Sequence, residues 1–278
     1  MTVNHINLTR LASCALLAAF LMAGISATPA LAQEYKEAYN AALEAANAKN
    51  YPVARSKFAE AATGAQAAGD TEIAKKSKYI AAQIDYKFGN AALKADNFDQ
   101  ALTHYKNGHV MYPDYVKNRY GEGLALKKLG RMDEALTVWQ EVAKSTDRKT
   151  ARTASTAIRD HFYFQASSAV SKTNATAADA NRAIAALEAS KEYLEPDADY
   201  YYYTAVAQNI KGQNGACVTS ANKALEMHKG TRADKAKIYF IKGEALMYSG
   251  DTEGAKAAFQ NATYGSYKAS AEHYLTTL

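Results

Sequence analysis

The chain has 278 residues, 48% of them apolar and only 4 of them proline, which suffices for a buried core and excludes an intrinsically disordered chain. Its 33 basic and 28 acidic residues are intermixed and leave a net charge of +5. Lys75-Lys76 and Lys127-Lys128 are the densest basic spots, and neither forms the polybasic tract that a nucleic-acid partner would call for.

Residues 1–32 read as an export signal. Arg10 precedes an apolar run from Leu11 to Ile25, and Ala30-Leu31-Ala32 is a small-x-small cleavage site, so a mature chain is expected from about Gln33. The run is too short, and too soon followed by Pro29, for a membrane-spanning helix. Leu11-Ala12-Ser13-Cys14 is similar to a bacterial lipoprotein motif, but it opens the apolar run where that motif would close it, so lipidation is not expected. Loss of Arg10 leaves the mature chain at +4, with Cys217 as its one cysteine. No internal disulfide is then possible, and packing alone must hold the fold. The expected address is the periplasm of a Gram-negative bacterium, with secretion as the alternative.

Taken in order, the rest reads as paired helices. Gln33 to Lys49 is rich in Ala and Glu and predicts a first helix. Asn50-Tyr51-Pro52 breaks it, with Pro52 suited to the first turn of the next, which carries Ala54, Phe58 and Ala61. Gly69-Asp70 ends that helix, Thr71 is a candidate cap, and a long helix should run from about Glu72 to Lys94. Asp96-Asn97 breaks it before a partner that carries Phe98, Ala101 and Tyr105 and must stop by Pro113. Gly123 then opens an echo of this pair, with Gly130-Arg131 as the break and Met132, Ala135 and Trp139 on a helix ending near Lys144. Ser145 to Lys149 is polar, residues 150–171 are again helical, and Ser171 to Thr176 breaks them before a helix with Ala183, Leu187 and Ser190. Tyr200 to Ile210 should be stopped by Gly212 and Gly215, with Cys217, Ala221, Ala224 and Leu225 on its partner. A last pair carries Tyr239, Gly243 and Leu246, then Ala255, Phe259 and Ala262 after Gly250-Asp251, and Tyr267 to Leu275 is left to cover the open end.

Gly89, Phe98, Ala101 and Tyr105 recur 34 residues later as Gly123, Met132, Ala135 and Trp139, preserving both size and position. The small residues of the second helices are Ala54, Ala101, Ala135, Ala183, Cys217 and Ala255, spaced by 47, 34, 48, 34 and 38. The two long intervals amount to about three to four extra helical turns. Gly89 and Gly123 would be close-approach points, and Tyr105 and Trp139 would fill the space beside them.

This pattern resembles the tetratricopeptide repeat. The resemblance implies an all-α, right-handed solenoid of about six helix hairpins forming one domain over residues 33–278. Its approximate repeats are 34–69, 71–114, 116–148, 150–197, 198–231 and 234–266, with a cap at 267–278. It also implies a concave groove lined by first helices, with one groove residue three before the small residue of each. Those places hold Tyr39, Tyr86, Tyr120, Tyr202 and Phe240, and Ser168 in the fourth copy. Asn90, Lys94, Lys127 and Asn209 are expected beside them, and Tyr202 with Tyr203 is the strongest single patch. The aromatics displace the Lys and Asn that one class of relatives uses to grip C-terminal carboxylates.

Tyrosine suits a peptide-gripping groove, having large apolar area and one polar tip, although rings at this spacing also suit packing between helices. Cys217 stands where the family prefers Ala and is expected to be a buried, inert thiol. No HExxH, P-loop, GxGxxG or G-x-S-x-G is present, His104 and His109 do not share a helix face, and Asp160 and His161 point apart. The expected function is therefore a non-catalytic adaptor without cofactor or metal. It would bind a protein or peptide partner, with an envelope assembly complex as one setting for it. A carrier of a small apolar or lipid-like ligand is the alternative, and an accessory subunit of an enzyme is a third reading.

Overall fold

The computed structural model describes residues 29–278, which form thirteen α-helices and one 3-10 turn. In chain order these are α1 (Pro29–Asn47), α2 (Tyr51–Ala67), α3 (Thr71–Lys94), α4 (Phe98–Met111), α5 (Lys117–Lys128), α6 (Met132–Ala143) and α7 (Arg148–Val170). There follow α8 (Ala177–Ser190), α9 (Ala198–Ile210), α10 (Asn214–Met227), α11 (Arg232–Tyr248), α12 (Thr252–Ala262), the 3-10 turn Gly265–Tyr267 and α13 (Lys268–Thr277). Residues 1–28 of the expected export signal, Cys14 included, lie outside the described residues. The expected cleavage triplet falls within the first turn of α1.

The helices end in a repeated turn. Lys49, Asp96, Gly130, Gly212 and Gly250 all have positive φ, and each follows the first helix of a hairpin. In each case the next amide reaches back to the helix, as from Asn97 N to Ala92 O at 2.9 Å and from Asp251 N to Leu246 O at 3.0 Å. This satisfies carbonyls that the helix terminus leaves unpaired. Gly212 makes that stop for α9, whereas Gly215, expected to share it, lies inside α10. The cap of α3 is Asp70, whose carboxylate accepts from Ile73 N at 3.0 Å, and Thr71 is the first helical residue instead. A carboxylate so placed also faces the positive end of the helix dipole. Tyr267 closes the 3-10 turn, and the final helix begins one residue later.

The helices gather into two compact units, the first ending at Ala135 and the second beginning at Leu136. Within each, consecutive helices pack on one another. First helices also touch across hairpins: α3 meets α5 in the first unit, and α9 meets both α7 and α11 in the second. The extra turns anticipated from the two long intervals are in first helices, α3 with 24 residues and α7 with 23.

The six anchoring small residues Ala54, Ala101, Ala135, Ala183, Cys217 and Ala255 have no exposed surface at all. Small side chains allow close approach and large ones then close the gap. Tyr105, fully buried on α4, shows how tight this is. A Cβ added at Gly89 would stand 2.5, 2.7 and 2.8 Å from its Cε1, Cδ1 and Cζ, and one at Gly121 2.3, 2.6 and 2.6 Å from the same atoms. Such near-equal distances put each added atom above the ring plane rather than beyond its edge. Two atoms cannot occupy one place on one face, so α3 and α5 hold the ring between them. Gly123, the anticipated close-approach point of α5, is buried, while the contact with Tyr105 falls on Gly121. In the second unit Gly243 takes the ring of Phe259 in the same manner, at 2.8 Å from an added Cβ.

Candidate functional site

In the first unit Tyr86 is partly exposed and belongs to a run of rings along α3. Its centroid lies 5.8 Å from that of Tyr115 at 88° and 6.0 Å from that of Tyr105. Tyr79, two turns earlier on α3, meets Tyr115 at 5.6 Å and Tyr112 at 5.5 Å. Most of these contacts are edge-to-face, the arrangement ring quadrupoles favour. Asn90 accepts a 2.8 Å hydrogen bond from the Tyr105 hydroxyl and so serves the core. Burial, then Tyr86, pushes that hydroxyl above the ordinary tyrosine range. Tyr120 is partly exposed, and Lys94 and Lys127 stand in solvent. Tyr39 is only 8% exposed, packed edge-on against Phe58 at 5.8 Å, and is a core residue between α1 and α2.

The second unit brings Tyr202, Tyr203, Asn209 and Phe240 onto two touching first helices, α9 and α11. Tyr202 and Tyr203 have centroids 5.2 Å apart. Tyr203 also meets Tyr163 of α7 at 6.2 Å, so three tyrosines join two helices. Phe240 contacts Phe259, Tyr267 and Tyr274 within 6 Å and remains partly exposed. Burial and a hydrogen bond with Tyr267 push the Tyr202 hydroxyl well above the ordinary range.

Charged residues that single-chain reading did not pick out thread these rings. Arg159 pairs with Asp197 at 3.0 Å and also with Asp199, and its guanidinium carbon lies 4.7 Å from the Tyr163 centroid. Lys237 pairs with Asp199 at 3.1 Å, with its Nζ 4.4 Å from the Tyr202 centroid. The Tyr163 hydroxyl donates to Asp197 at 2.9 Å. Burial would raise the Asp199 carboxyl, but Lys237 and Arg159 together hold it below the usual range. A cavity of about 290 Å³ opens beside Arg159, Tyr163, Phe164, Asp199 and Tyr203, and Phe164 at its wall is 72% exposed.

Asn209 donates to Glu244 at 3.3 Å. Burial raises the Glu244 carboxyl, opposed by hydrogen bonds from Tyr274 and Asn209. Cys217 is fully buried, with Sγ 3.8 Å from the Ile241 carbonyl; burial, then Glu244, pushes its thiol up to about 12. Among the described residues no group of three or more His, Cys, Asp or Glu is placed to hold a metal ion. No described helix is long and apolar enough to cross a membrane. What these surfaces offer is recognition chemistry: partly exposed rings beside fixed charges.

No family model matches this chain, and no curated protein matches it. Among solved structures the chain is similar to MamA protein, at 17% identity over 70% of this chain and 94% of that one, with a TM-score of 0.35. It is also similar to a tetratricopeptide repeat protein from Parabacteroides merdae, at 15% identity over 88% and 98% with a TM-score of 0.33. PilW, a type IV pilus biogenesis factor, is similar at 15% identity over 86% and 99%, with a TM-score of 0.34. The resemblance of this chain to tetratricopeptide proteins stands on its own helices: consecutive hairpins, small residues at the crossings, and first helices in mutual contact within each unit.

Proposed function

We propose that the chain is an exported, non-catalytic adaptor that binds protein partners on the faces of its first helices. One observation carries the reading. Tyr86, Tyr120, Tyr202 and Phe240, each three before a small residue of its first helix, all keep part of their surface in solvent although each belongs to a packed helix. A ring held by neighbours and still accessible offers area with little entropy left to lose, which is how interface anchors work. Export rests on Arg10, the apolar run after it and the Ala30-Leu31-Ala32 triplet. The adaptor step draws on the tetratricopeptide resemblance, and a fold alone does not fix a function.

The test uses immobilised protein and two variants, Lys94→Glu/Lys127→Glu and Tyr86→Ala/Tyr120→Ala/Tyr202→Ala, exposed to a membrane-and-periplasm extract. Captured proteins and lipids are identified by mass spectrometry. A protein retained by the wild type and lost by a variant with an unchanged circular dichroism melt supports the reading. Capture of lipid alone, or equal capture by all three proteins, rules it out.

A further inference from the structure

The N-terminal turns of α3 extend beyond what its hairpin with α4 requires, and they border two adjoining depressions of about 540 and 360 Å³. Lys75 and Tyr112 line both. The apolar walls come from Val110, Met111 and Tyr79, with Val110 80% exposed and Tyr79 40% exposed beside one another on the same ledge. Lysines gather around them. Lys78 lines the larger depression and donates to Gln66, while Lys76 lines the smaller and has its Nζ 5.6 Å from the Tyr39 centroid. Glu72 is the one acidic residue on these walls, so the local balance is positive.

We propose that this ledge docks an acidic protein segment that carries apolar side chains, the acids meeting Lys75, Lys76 and Lys78 and the apolar groups covering Val110 and Tyr79. Through Tyr79 and Tyr112 the ledge adjoins the rings around Tyr86, but Lys75, Lys76, Lys78 and Val110 lie outside the places assigned to the adaptor reading, and changes at Lys75 and Val110 test the ledge separately. Charge complementarity selects the acidic character. The apolar character follows from an aliphatic wall that only another apolar group can desolvate profitably. A single-stranded nucleic acid fits less well, because it needs free ring faces for stacking. Here the rings are engaged with one another, Tyr79 meeting Tyr112 at 73° and Tyr115 at 89°.

The test is fluorescence anisotropy of the purified protein with a labelled, end-blocked acidic peptide containing one Leu and one Phe. Its control is the same peptide with Ser at those two positions. The parent peptide should bind, with an affinity that falls as salt is raised. Lys75→Glu and Val110→Asp should each weaken it roughly tenfold, the scale of one good interface contact. Both side chains are exposed, so both variants should keep the wild-type circular dichroism melt. The proposal is overturned by equal binding of the control peptide, by undiminished binding to both variants, or by failure of the parent peptide to bind. Displacement of the peptide by an equimolar single-stranded oligonucleotide, or sedimentation showing a second copy on this ledge, overturns it as well.

Discussion

Tyr105 should be the point at which the first unit is least tolerant of one added methyl. In an open helix Gly→Ala gains about 1 kcal/mol through backbone entropy. At Gly89 the new Cβ would lie 2.5 Å from Cε1 of a ring with no exposed surface. The ring cannot retreat, since Gly121 closes its other face and Asn90 holds its hydroxyl at 2.8 Å. Relief needs about 1 Å of movement in a packed core, which places the strain toward the upper end of the roughly 1–3 kcal/mol that overpacking costs. Gly89→Ala should therefore lose about 2 kcal/mol net, and Gly121→Ala somewhat more.

The decisive measurement is a double-mutant cycle. Tyr105→Ala alone should cost about 3–5 kcal/mol by emptying the space. In that background Gly89→Ala no longer meets a ring and should become neutral or stabilising by up to about 1 kcal/mol. The coupling is then about 2–3 kcal/mol, well above the error of urea unfolding followed by far-UV circular dichroism. An equal cost of Gly89→Ala in both backgrounds would refute the sandwich and with it this account of the α3–α5 contact.

Three further outcomes are expected. Lys49 and Asp96 adopt the positive φ that Gly130, Gly212 and Gly250 fill in three other hairpins. Lys49→Gly should thus stabilise by about 1 kcal/mol and Asp96→Gly by less, since Asp tolerates this conformation better; a lower urea midpoint for either variant would contradict the turn assignment. Glu244 has a folded-state pKa above its ordinary value, so its contribution favours the fold below its unfolded pKa and is lost as pH rises through the raised one. Glu244→Gln should then unfold later than the wild type at pH 7 and together with it near pH 4, and a wild type that outlasts the variant at pH 7 defeats the argument. The Cys217 thiol, buried and pushed up to about 12, should resist an aromatic disulfide reagent at pH 8 until denaturant is added, and rapid labelling of the native protein would show an opening at α10 that the packing does not allow.

Helix pairing was legible because it is written locally. Small and large residues alternate at helical spacing, breaks fall at Gly, Asn and Asp, and the two long intervals reappear as two long helices, α3 and α7. Small errors of position came where competing groups lie within a few residues of each other. Asp70 outcompetes Thr71 as a cap because a carboxylate is the stronger acceptor, and Gly215 follows a turn that Gly212 has already completed. The face of a residue was harder to read than its helix. Tyr39 and Tyr86 occupy matching places, yet Tyr39 is buried against Phe58 while Tyr86 stays partly exposed. That difference comes from what neighbouring helices supply, which no periodicity records. Tyr79 had a readable signal, standing seven residues, or two turns, before Tyr86. The Arg159–Asp197 and Lys237–Asp199 pairs had none, since each joins residues 38 apart on different helices.

Those pairs bear on the proposal that first helices carry the recognition face. Arg159 lies against Tyr163 and Lys237 against Tyr202, and both reach the acids at the start of α9. Each cation lies over a ring face while its own charge is already satisfied, so a partner meeting these tyrosines does not have to strip an unpaired charge of water. The α3 ledge is built the other way, with lysines beside exposed Val110 and only Glu72 among them. A neutral, aromatic-reading surface in the second unit and a cationic, acid-reading one in the first would select different segments. Charge reversal on the ledge should therefore change salt dependence there and leave binding at Tyr202 and Tyr203 untouched.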